Sequence, residues 1–65
     1  MESLLRLPEV ERRTGLKRSA IYQRIERNEF PRPIRLTDKA VAWLDSEITH
    51  WIHAKIAAGR QGEAA

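Results

Sequence analysis

The stretch RTGLKRSAIYQRI, Arg13 to Ile25, decides how this chain is read. A short helix is expected to end at Thr14, with Gly15 making the turn and Leu16 tucked into the angle. A second helix then opens on the adjacent cations Lys17 and Arg18. Glycine matters there because the chain must reverse within a few residues. Such a reversal usually requires a positive φ that glycine alone adopts without steric cost. The pattern is a helix-turn-helix, whose second helix is the kind that enters the major groove of DNA.

Working outward, Pro8 suits the first turn of a helix because its missing N–H has no partner to lose, and Glu9 and Glu11 favour the positive end of the helix dipole. The first helix is therefore expected from about Pro8 to Thr14, after a short strand or extended lead-in at Leu4 to Arg6, with Leu7 and Val10 inward. The second should run from Arg18 to Asn28 with Ile21 and Ile25 inward. Ser19, Gln23 and Glu26 then lie on the opposite face, Ala20 and Arg27 beside them, and Tyr22 on the flank.

FPRPIRL, Phe30 to Leu36, changes character, since Pro31 and Pro33 prevent a helix from continuing. Alternation in Ile34 to Leu36 and again in Val41 to Trp43 predicts a β-hairpin, a wing over Ile34 to Trp43. Ile34, Leu36, Val41 and Trp43 would face inward, with Arg35, Thr37 and Lys39 outward. A third helix is expected from Asp45 as N-cap to about Ala58. Ile48, Trp51, Ile52, Lys55 and Ile56 form one stripe, Gly59 stops the helix, and a tail over about 60–65 frays. The fold class is thus mainly α with a small β-hairpin: three helices and a wing, a winged helix-turn-helix in a single domain over residues 1–65.

Composition bounds the function. Sixty-five residues lie near the lower size limit for a domain without disulfides or metal, and leave no room for a catalytic cleft between subdomains. Absence of cysteine excludes disulfides and thiolate zinc sites and fits a reducing compartment such as the cytoplasm. No apolar run approaches the roughly 20 residues of a membrane span, and Met1-Glu2 begins no signal segment, so a soluble protein is expected. The net charge is +3, but nine cations and three acids between Arg12 and Lys39 give +6, while three cations and six acids elsewhere give −3. One basic face beside an acidic remainder is the footprint of a surface that meets phosphate, although a solvated surface can look the same.

The series LRLPEVERRTGLKRSAIYQRI, then FPRPIRL, then VAWLDSEITHWI resembles the AlpA family of prophage regulatory proteins, related to excisionases and to the DNA-binding domain of MerR-type regulators. The resemblance covers Leu5 to Ala58. It implies a small winged helix-turn-helix that controls prophage or integrative-element genes, with an excisionase role in DNA recombination within the family's range. It further implies double-stranded DNA as partner, further copies of the chain on that DNA, integrase or RNA polymerase as protein partners, and no cofactor. By position, Lys17 to Asn28 is the recognition helix, Ile34 to Trp43 the wing, and Trp43 and Trp51 core positions. The chain departs from the family in two places. Lys17 stands where serine commonly opens the second helix, forfeiting a cap of about 1 kcal/mol beside the positive helix end, which is favourable if phosphate sits there. The wing turn Thr37-Asp38-Lys39 contains no glycine.

The expected DNA-binding residues are Lys17, Arg18, Ser19, Tyr22, Gln23 and Arg27 on the second helix and Arg35, Thr37 and Lys39 on the wing. Gln23 suits a bidentate pair with adenine, Arg18 or Arg27 one with guanine, and Ser19 a base or phosphate. The wing cations suit backbone or minor groove. Tyr22 reads as a partly buried flank whose hydroxyl reaches phosphate, and Arg24 as a stem packed near the core. Trp43 and Trp51 are in phase with apolar neighbours and read as core, not stacking platforms. His50 and His53 share a helix face but have no third ligand beyond Glu47, so no metal site is expected. No triad or phosphate loop supports catalysis, so the protein is not read as an enzyme. Two other functions fit the same fold: the DNA-binding end of a phage terminase small subunit, and a protein-interaction module that uses the outer face of the third helix.

Overall fold

A computed structural model describes residues 2–64, with side chains described for 2–60. In chain order the elements are β1 (Leu4–Leu5), α1 (Leu7–Thr14), α2 (Arg18–Glu26), β2 (Ile34–Thr37), β3 (Ala40–Leu44) and α3 (Asp45–Ala64). The three helices and hairpin agree with the expected fold class. The lead-in is a strand: β1 pairs antiparallel with β3, giving a three-stranded sheet of order β1-β3-β2.

The turn between α1 and α2 takes the expected form. Gly15 adopts φ 77° and its N–H bonds Glu11 O at 2.8 Å, closing α1 in a left-handed cap. Thr14 completes the corner. Its Oγ1 donates to Val10 O at 2.8 Å and accepts the Leu16 N–H at 3.3 Å. Helix α2 stops at Glu26, two residues before the expected end. There Asn28 takes φ 59°, its N–H bonds Ile25 O at 3.0 Å and the Glu29 N–H bonds Arg24 O at 2.8 Å. This is a Schellman motif with asparagine in the left-handed position, one of the few residues that tolerates it.

The core is built by Val10, Ile21, Ile25, Phe30, Trp43 and Ile48, with Leu5, Leu7, Leu16, Tyr22, Val41, Trp51 and Ile52 packed at its margin. Trp43 is its largest fully buried side chain, and its indole Nε1–H donates to Pro31 O at 2.9 Å. That bond ties the proline connector to the central strand. Trp51, expected to be core, is only half-buried. Its ring meets Phe30 edge-on at 4.9 Å, and its Nε1–H donates to Glu29 O at 2.9 Å.

The wing corrects the expected alternation. Its register pairs Ile34 with Ala42, Arg35 with Val41 and Thr37 with Ala40, so Leu36 is an extra residue, a β-bulge. A plain two-residue turn over Asp38-Lys39 would have set Ile34 and Leu36 opposite Trp43 and Val41 and turned both inward. The bulge shifts the strand by one residue, which exchanges its faces. Ile34 and Leu36 are 40% and 43% exposed, on the side away from the core. The cause lies in the turn: neither Asp38 nor Lys39 takes the positive φ that two-residue hairpins favour, and a bulge restores the strand twist that other turns splay.

Helix α3 corrects the expected stop at Gly59, running on to Ala64, with Ala65 outside the described residues. A helical glycine costs only about 1 kcal/mol relative to alanine, and Ala54, Ala57 and Ala58 around it are the strongest helix formers.

At its N-terminus α3 is anchored by Asp45. This carboxylate accepts Arg13 Nη1–H at 2.5 Å, Ser3 Oγ–H at 3.0 Å and Thr49 Oγ1–H at 3.2 Å, while Arg13 Nη2 donates to Thr49 Oγ1 at 2.9 Å. The Arg13 hydrogen bond, then that from Ser3, holds the Asp45 carboxyl below its ordinary value of 3.8. A depressed folded-state pKa gives stability that is present above the unfolded value and lost as pH falls through the folded one. Thermal melts of the wild type below pH 4 should therefore show an acid loss that is smaller in Asp45→Asn, and equal losses in the two proteins would discount this cluster.

Candidate nucleic-acid interface

On α2, hydrogen bonding and burial separate side chains that hold the fold from those left free. Ile21 and Ile25 face the core. Ser19, Gln23 and Arg27 are exposed, as their place opposite Ile21 predicts. Lys17 is the N-cap, exposed and extended (φ −93°, ψ 168°), with no side-chain cap bond. The first turn of α2 therefore presents N–H groups and a cation outward, and both favour an anion.

Arg18 is exposed but does not project straight out. At about 100° per residue it leaves the helix roughly 60° from Ile21, on the same flank as Tyr22. Its guanidinium carbon lies 5.8 Å from the centre of the Tyr22 ring. Tyr22 is half-buried, as expected, and meets Trp43 edge-on at 6.4 Å with an interplanar angle of 68°. Sequence reasoning put Tyr22 on a flank. The cation–π contact of Arg18 with it was legible only as an i, i+4 pair, a weak signal.

The wing residues Arg35, Thr37 and Lys39 are all exposed. Thr37 Oγ1 accepts the Lys39 N–H at 3.2 Å and so closes the tip. Directly paired residues share a sheet face, so Arg35, opposite Val41, lies on the face that carries Trp43 and looks toward α2. The bulge thus brings the Arg35 cation to the α2 side of the sheet, while Ile34 points the other way. Thr37 falls with Ala40 on the opposite face, at the hairpin end.

Other arginines of the basic stretch are engaged within the fold. Arg12 pairs with Glu9, Arg13 with Asp45, and Arg24 Nη1 donates to Ala20 O at 3.2 Å, consistent with a stem held near the core. Arg32, absent from the expected set, donates to Asn28 Oδ1 at 2.8 Å and stands between the end of α2 and the start of the wing. Asn28 sits in the left-handed position that ends α2, a placement that the expected helix, running through Asn28, does not foresee.

His50 and His53 line a surface groove with Glu2, Asp45, Ser46 and Thr49. Among the described residues no group of three or more His, Cys, Asp or Glu is placed to hold a metal ion. Nor, among them, is any helix long and apolar enough to cross a membrane.

Comparison with known proteins gives a consistent result. The family model described as prophage CP4-57 regulatory protein (AlpA) matches residues 3–56. The chain is 48% identical over 61 residues to a protein of Enterobacteria phage P4 named uncharacterized protein ORF88, spanning 94% of this chain and 69% of that protein. It is 34% identical over 55 residues to the DNA-binding transcriptional activator AlpA of Escherichia coli K12, spanning 75% of this chain and 79% of that one.

Proposed function

The chain belongs to the AlpA family of prophage regulatory proteins, and from that premise we propose that it regulates genes of a prophage or integrative element by sequence-specific binding to duplex DNA. The observation that carries this reading is the free polar face of α2, where Ser19, Gln23 and Arg27 are exposed beside an N-cap cation, with Arg35 on the same side of the wing sheet. In this reading α2 lies in the major groove, Gln23 meets a base edge, Lys17 and the wing cations meet phosphate, and the protein acts in the compartment that holds the DNA.

One module of this size buries only about 600–1,000 Å² on DNA, so selective binding draws on several copies at repeated or paired sites. The chemistry is binding, not catalysis. Regulation of transcription and direction of recombination would use the same surface, and the E. coli relative, a transcriptional activator by name, favours the former.

Selection of duplexes from a random library, followed by titration of the enriched site, tests the reading. Gln23→Ala should weaken the enriched site by about 1–3 kcal/mol and leave random duplex unchanged. Equal weakening on both would make Gln23 a backbone contact, and no binding to duplex DNA at moderate salt would favour a protein-interaction module.

A further inference from the structure

We propose that Tyr22 is a positioning residue for Arg18: its ring holds the guanidinium by the face so that the edge is presented to a guanine. The inference rests on the reading of α2 as the recognition helix and adds the base that this corner reads.

A guanidinium has two kinds of surface, a π face and an edge carrying five N–H donors, and only the edge pairs with guanine O6 and N7. Each neighbouring arginine whose contact is described above uses that edge within the protein: Arg12 on Glu9, Arg13 on Asp45 and Thr49, Arg24 on Ala20 O, Arg32 on Asn28. Arg18 is held differently. Its guanidinium carbon sits 5.8 Å from the Tyr22 ring centre, and among the described residues its N–H groups make no hydrogen bond or ion pair within the chain. The cation rests over the ring while its donors stay free, which is the state a base reader needs.

The ring is in turn anchored. Tyr22 packs edge-on against Trp43, which is fully buried and bonded to Pro31 O, so the support runs unbroken from the core to the guanidinium. Without the ring, a long side chain leaving the helix on its core-side flank would sample many rotamers, and fixing them on DNA would reduce affinity for the correct base.

Duplex selection with four proteins tests this. The wild type should enrich a site with a G·C pair, and Arg18→Ala should lose at least about fivefold of the preference for that pair. Tyr22→Phe, which keeps the ring, should retain it. Tyr22→Leu should lose about two- to fivefold at the same pair, the range expected of an exposed cation–π contact, with no further loss when combined with Arg18→Ala. If Tyr22→Leu does not fold, pentafluorophenylalanine at position 22 keeps the shape while reversing the ring's charge distribution, and should lose the same preference. An intact preference in the folded ring variant, or a preference that does not depend on Arg18, overturns the proposal while the DNA-binding reading stands. A wild type that enriches no sequence overturns the reading of α2 itself.

Discussion

Trp43→Ala is expected to unfold the domain at 25 °C. The side chain is fully exposure-free and is the largest in the core, and truncating such a tryptophan costs about 3–5 kcal/mol in lost burial and cavity. A chain of 65 residues has a total stability of only about 3–10 kcal/mol by the usual per-residue range, so one substitution removes much of it. Two further losses follow from position. The Pro31 carbonyl loses its donor at 2.9 Å, and Tyr22 loses the edge contact that fixes it. Trp43→Phe keeps most of the volume and loses the bond, so it should cost about 1–3 kcal/mol and remain folded. Trp51→Ala should be milder than Trp43→Ala, because Trp51 is half-exposed and lies at the margin of the core. Urea melts followed by circular dichroism give the order. A cooperative melt of Trp43→Ala close to that of the wild type would show that the sheet is not held through this residue.

That order was only partly legible in the sequence. Both tryptophans sit in phase with apolar neighbours, and periodicity cannot tell the central strand of a sheet from the rim of a helix. The local punctuation was far clearer. Gly15 marks the corner between α1 and α2 because few other residues accept its backbone, and Pro31 and Pro33 mark the connector because they exclude a helix. The unreadable features each depend on a partner distant in sequence or on one residue of register. Alternation in Ile34 to Leu36 was seen correctly but assigned to the wrong faces, since a single bulged residue exchanges them. The same bulge moves Arg35 to the α2 side, an arrangement that alternation alone does not supply. Gly59 misled in the opposite direction: its helix-stopping tendency is about 1 kcal/mol, small enough for the alanines around it to override.

The site itself makes the second large prediction. Lys17, Arg35 and Lys39 are exposed, none makes an ion pair among the described residues, and they lie at the start of α2 and on the wing. If all three meet phosphate, each displaces counterions equivalent to about 0.9 in the slope of log affinity against log salt. The triple variant Lys17→Ala, Arg35→Ala, Lys39→Ala should therefore flatten the slope by about 2.7 and weaken binding at 0.1 M salt by several hundredfold. The loss should fall alike on the selected site and on random duplex, since phosphate carries no sequence information, in contrast to the selective effect of Gln23→Ala. The fold should be unaffected, because exposed cations outside the core contribute little to stability. Titrations over a salt series separate the contributions. If Arg35→Ala with Lys39→Ala leaves the slope unchanged while Lys17→Ala lowers it by about one, the wing stands off the DNA and the bulge that turns Arg35 toward α2 serves the sheet alone.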